Sequence, residues 1–211
     1  MTGAASLLLA VALAAAMADW VAVQRSWVSL EYLAKPLTMV LLIAAALTLD
    51  PTSAVARAWF VAALVSCLVG DVFLMVPRDL FVYGLAAFLL GHVGYIVGLY
   101  VEGVELRRFL GGVLLVAVAL AVIGPILLRG IRAGPDPALA GPVVAYIAVI
   151  SAMVASAIGV GNPMAIGGAL LFYASDALIA WNRFVRQTPY AGLTVMMTYH
   201  LAQFGLVISL V

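Results

Sequence analysis

Charge is what this chain has least of: only 9% of its 211 residues are Asp, Glu, Lys or Arg, against about a quarter in an ordinary soluble domain. The net charge is +1, and no basic stripe or tail is present. Nothing here pairs with a run of phosphates, which sets nucleic acid aside as a partner. Cysteine is nearly absent too. Cys67 stands alone, so there is no intrachain disulfide and no thiolate metal cluster. The two histidines form neither H-E-x-x-H nor H-x-x-x-H, and G-x-S-x-G and a P-loop are missing. No metal and no cofactor is expected. The first apolar stretch lacks the positive leader of a secretory signal and reads as a span. Apolar/polar alternation is absent as well, which excludes an outer-membrane barrel.

What fills the chain instead is apolar sequence, 67% of it, with a mean hydropathy of +1.24. A bilayer-spanning helix takes about 20 mostly apolar residues, and Pro, Gly and charge punctuate this sequence at about that interval. The reading is an all-α polytopic membrane protein of eight helices. They cover residues 3–23, 32–49, 56–76, 80–100, 109–128, 138–158, 165–181 and 190–211 as one transmembrane domain. The linkers, such as "QRSWVSLE" and "PRD", are short enough to force antiparallel neighbours and leave no room for a soluble domain.

Arg25, Arg78, Arg129, Arg132, Arg183 and Arg186 belong to the odd-numbered loops, against Arg57, Arg107 and Arg108 in the even ones. The positive-inside rule then puts the odd loops in the cytoplasm and both termini outside. The setting is an integral membrane protein, of the plasma (inner) membrane if bacterial.

Two segments repeat a pattern. "GDVFLMVPR" at 70–78 and "SDALIAWNR" at 175–183 both read small residue, Asp, six residues, Arg. Asp71 and Asp176 are 105 apart, as are Arg78 and Arg183, with Pro36 and Pro142 at 106 and His92 and His200 at 108. An interval near half the chain points to two parallel four-helix halves.

Acids inside a membrane are costly, about 2.5–3.5 kcal/mol each at the bilayer centre on insertion scales, and mark function by default. Counting along the helices, Asp19, Asp71, Asp176 and Lys35 all fall toward the odd-loop face. His92, Tyr95, Tyr199, His200 and Gln203 sit deeper. His92 and Tyr95 at i,i+3, and Tyr199 and Gln203 at i,i+4, share helix faces. The expected site is a polar chamber, with Lys35, Arg78 and Arg183 at its mouth, Asp71 and Asp176 in its wall, and the aromatic and amide residues at its floor. Competing plain readings are that each Asp pairs with the Arg two turns on, that Lys35 snorkels to headgroups, and that Asp19 is solvated at its helix end. His200 reads as an interhelical hydrogen-bond donor, and Trp20 as interface belt. Gly94 and Gly98 form a close-approach GxxxG surface.

"KPLTM" at 35–39, "GD" at 70–71, "YGLAAFLLGHVGY" at 83–95, "GGALLFYASDALIAWNRF" at 167–184 and "YHLAQ" at 199–203 together resemble the YhhN family. The resemblance implies an eight-helix hydrolase that cleaves the vinyl ether bond of a lysoplasmalogen, or a related lysolipid, to a fatty aldehyde and a glycerophospho-headgroup. By matching position it carries over Lys35, Asp71, His92, Asp176, Tyr199 and Gln203. The expected mechanism is paired-aspartate acid/base catalysis by Asp71 and Asp176, since two close carboxylates do not both ionise readily and one is left to donate a proton. Lys35, Arg78, His92, Tyr95, Arg183, Tyr199 and Gln203 are the expected substrate-binding residues, and the partners are the lysolipid and membrane lipids. The alternative is a small proton- or cation-coupled transporter using the same acids, which broken mid-membrane helices would favour.

Overall fold

The computed structural model describes all 211 residues and contains eight long helices. They are α1 (Gly3–Arg25), α2 (Val28–Thr48), α3 (Ala54–Met75), α4 (Phe81–Glu102), α5 (Leu106–Ala133), α6 (Ala140–Val160), α7 (Pro163–Phe184) and α8 (Ala191–Ile208). All eight are long and apolar enough to cross a bilayer. Residues that face outward, such as Leu7, Leu33, Leu47, Leu90, Leu114 and Val122, are apolar, as a lipid-facing surface requires.

The number and order of spans match expectation; the ends move. α2 starts at Val28 instead of residue 32, and α5 runs to Ala133 instead of 128. Hydropathy falls where charge begins, but backbone hydrogen bonding continues into the headgroup zone, so Glu31 and Arg129–Arg132 are helical. α7 begins where local chemistry dictates: Asn162 accepts from the backbone N–H groups of Met164 and Ala165, and Pro163 fills the first helical position. Pro36 and Pro125 lie inside α2 and α5, and both helices run on through them. The broken backbone that the transporter alternative calls for is not supplied.

Sequential helices pair as hairpins, α1 with α2, α3 with α4, α5 with α6 and α7 with α8. Contacts of α2 on α3, α4 on α6, α6 on α7 and α8 on α1 then close a ring of seven helices, with α5 outside against α6 and α7. The α3–α4 seam is made by small residues. A Cβ on Gly91 would meet the Cys67 sulfur at 2.7 Å, and one on Gly94 would meet Ala63 at 3.1 Å. The close-approach surface therefore extends beyond the GxxxG pair. The α7–α8 seam is close as well, and there against backbone, since a Cβ on Gly168 would sit 2.8 Å from the Ala202 carbonyl.

Advancing every helix by four carries the α2–α3 contact onto α6–α7, and the α2–α8 contact onto α6–α4. The correspondence is incomplete, since the α5–α7 and α3–α8 contacts have no counterparts, and its largest gap bears on the site. α8 packs on α1, but its counterpart α4 does not pack on α5. That missing contact is where the site opens.

Candidate active site

Between α4 and α5, floored by α6 and α7, runs a narrow apolar groove with about 70 Å³ of free space. Phe81, Leu85 and Phe88 of α4 face Leu120, Ile123 and Leu127 of α5 across it. Every lining residue but one is hydrophobic, and the exception is Asp176.

Asp176 lies eight residues before the end of α7, about 12 Å into the helix at 1.5 Å per residue. Tyr146 enters α6 from the same loop face and reaches a similar depth, and its hydroxyl donates to Asp176 Oδ2. His92 Nε2 stands 3.8 Å from the same oxygen, past hydrogen-bonding range. The His92 ring is held edge-on by Phe172 at 4.6 Å and Tyr146 at 5.2 Å between centroids. Both its nitrogens are buried without a hydrogen-bond partner.

Asp71 occupies a different setting. Lys35 Nζ lies 3.2 Å from Oδ1, and the Tyr199 hydroxyl donates to Oδ2 at 2.6 Å. The ion-paired side chains are only 6% and 2% exposed. Lys35, the only lysine in the chain, is therefore neither at the chamber mouth nor snorkelling. It is drawn inward because a buried carboxylate and a long ammonium side chain satisfy each other where no water does. Asp71 does not line the groove. Between the two acids stands an aromatic wall: Phe172 packs on Tyr199 at 5.4 Å and on His92 at 4.6 Å, with Phe88 against both Phe172 and Tyr199.

Tyr95 and Gln203 meet below this wall, the tyrosine hydroxyl donating to Gln203 Oε1 at 2.5 Å. At the loop end of the groove, Phe81 and Phe184 close edge to face, and the Arg183 guanidinium lies 4.0 Å over Phe81. Arg183 bonds Asp79 at 2.8 Å, an interaction that holds the exposed Asp79 carboxyl below its ordinary range. Neither aspartate pairs with the Arg two turns on, because Arg183 is taken by Asp79 and Arg78 extends into solvent.

Three plain readings also change. Asp19 is fully buried and unsolvated, because the alanine face of α1 packs against its neighbours beyond that depth. Trp20 is no simple belt residue, since its indole donates to His200 Nδ1 at 3.1 Å. His200 thus bridges helices as an acceptor at Nδ1. Tyr146 and Asp79 went unnoticed in the sequence. The one available signal for Tyr146 was its depth, which matches that of Asp176 when both are counted from the odd-loop face.

Residues 30–210 match the YhhN family. The chain belongs to the YhhN family. Among curated relatives, human lysoplasmalogenase TMEM86B is 35% identical over 147 residues, 70% of this chain and 61% of that protein. Mouse lysoplasmalogenase TMEM86B is 32% identical over 193 residues, 90% of this chain and 79% of the mouse protein. A lysoplasmalogenase of Mycobacterium tuberculosis is 33% identical over 171 residues, 79% of this chain and 65% of that protein. The chain thus spans about three fifths of the human relative. No solved structure matches it.

Proposed function

We propose that this YhhN family member hydrolyses the vinyl ether bond of a lysoplasmalogen or a closely related lysolipid, releasing a fatty aldehyde and a glycerophospho-headgroup. The observation that carries the reading is a single acid, Asp176, set in an otherwise apolar groove, in a chain whose relatives are lysoplasmalogenases.

Vinyl ether hydrolysis begins with protonation of the alkenyl carbon beta to oxygen, which leaves an oxocarbenium ion for water to capture. Asp176 is the donor in this reading. Its bond from Tyr146 ties down one oxygen and fixes the orientation of the other. Positioned proton transfer of this kind contributes about 10²–10⁴-fold. Asp71 is the companion carboxylate behind the aromatic wall. Its bonds to Lys35 and Tyr199 lock α2, α3 and α8 around it. Tyr95 and Gln203 brace the deep end.

The spacing suits the substrate. Arg183 and Asp176 are seven residues apart on α7, roughly 10 Å of rise and nearly one face. From phosphorus to the protonated carbon of a lysoplasmalogen is seven bonds, roughly 9 Å when extended, at about 1.25 Å of advance per bond. A phosphate on Arg183 therefore brings the alkenyl carbon to Asp176, while the alkenyl tail lies along α4 and α5. Arg183→Gln is expected to raise KM for lysoplasmalogen about tenfold with kcat unchanged, the lower end of what a charged hydrogen bond contributes, since Arg183 is partly exposed. Arg78 extends the basic rim.

The deciding assay is aldehyde release by purified protein in detergent or vesicles. Lysoplasmalogen is expected to yield aldehyde, and the matched ester and saturated-ether lysolipids none. Absence of aldehyde from lysoplasmalogen would refute the reading.

A further inference from the structure

We propose that His92 is a catalytic residue that binds the attacking water and takes its proton; the assignment rests on the vinyl ether reading above. Buried polar atoms are almost always paired, and one that is not calls for an explanation, a catalytic role among them. His92 is fully buried, and neither ring nitrogen has a partner. Its Nε2 lies just behind the groove lining, 3.8 Å from the one acid of the groove and too far for a direct bond, so a water reaches it past Asp176. Phe172 and Tyr146 hold the ring in place, as a preorganised base requires. His200 makes the contrast. The same residue type, equally buried, accepts from Trp20 at Nδ1 and leaves only its Nε2 unpaired, away from the groove acid. Asp71 is closed in by Lys35 and Tyr199, which leaves His92 as the basic group next to Asp176.

The cycle balances. The Asp176 carboxyl proton passes to the outer alkenyl carbon, the π pair forms the new C–H bond, and positive charge moves to the oxocarbenium centre. The water oxygen attacks that carbon as its proton passes to His92 Nε2, giving a hemiacetal. The C–O bond to glycerol then breaks. The departing oxygen takes the proton from His92, and the hemiacetal hydroxyl returns its proton to Asp176. Both side chains end as they began, and one water is consumed per aldehyde and alcohol released.

The roles separate in D₂O. His92→Leu and His92→Gln are expected to lose aldehyde release by 10²-fold or more. Both still protonate the alkenyl carbon reversibly, so lipid recovered from them carries deuterium at that carbon by mass spectrometry. Asp176→Asn is expected to show neither aldehyde nor exchange. Each variant is checked for wild-type elution and for retained lysolipid binding, and the second His92 substitution covers misfolding of the first. Aldehyde release near the wild-type rate in either folded variant overturns the proposal. So does loss of aldehyde without deuterium entry, because His92 would then serve the protonation step. Aldehyde release by the wild-type protein tests the parent reading separately.

Discussion

Asp176→Asn is expected to reduce aldehyde release by about 10²–10⁴-fold, the range that a positioned proton donor supplies. Asparagine has the size and shape of the acid, and its amide oxygen still accepts from Tyr146. The groove therefore keeps its form while the transferable proton is lost. Lysolipid binding should persist, because the surrounding surface is apolar and Arg183 lies two turns away. The measurement is kcat and KM for lysoplasmalogen on protein that elutes and melts as wild type does. A fall in kcat with KM unchanged is the signature of an interaction made only on the way to the transition state. Unchanged kcat would remove Asp176 from the chemistry, and with it the case for this groove.

The span pattern was legible in the sequence because it depends on composition alone: a helix that must face lipid announces itself in hydropathy. So was the burial of Asp71 and Asp176, acids that lie in long apolar runs. What surrounds each acid was not legible. Lys35 lies next to Pro36 near a helix start and looks like a residue that reaches for headgroups, yet it turns inward to Asp71. Tyr146 belongs to another helix than the acid it serves, and a tyrosine in an apolar run carries no mark of its partner. Asp79 sits in a three-residue linker that reads as a plain turn, and only the fold places it against Arg183 at the groove end. The groove itself follows from a helix contact that is absent, α4 against α5, and hydropathy is silent about which neighbours fail to touch.

That asymmetry links fold to chemistry. If the two halves were packed alike, α5 would close on α4 as α1 closes on α8, where Trp20 and His200 meet. The closed half holds its acid, Asp71, in a sealed ion pair, and the open half leaves Asp176 facing a narrow apolar groove. Two similar Asp motifs thereby come to stand in different settings: one is tied to α2 and α8, and the other lines the groove.

Lys35→Met tests the sealed pair, and its expected effect is a loss of about 3–5 kcal/mol in stability, the cost of leaving one buried charge without its partner. The Lys35 and Asp71 side chains are 6% and 2% exposed, so water does not rescue the orphaned carboxylate. Only the Tyr199 hydroxyl remains to it. Denaturation in detergent, followed by helical circular dichroism, reads the loss. Asp71→Asn should fall by a similar amount, because it strands the lysine instead. The double substitution Lys35→Met with Asp71→Leu is expected to recover most of the stability, since a buried ion pair exchanged for packed apolar groups of like volume is often neutral. Activity is the separate readout. If Asp71 contributes its charge to the reaction, the double variant melts near wild type and still releases aldehyde slowly. Full activity in that folded double variant would make Asp71 a structural brace and leave the acid/base work to the groove side of the aromatic wall.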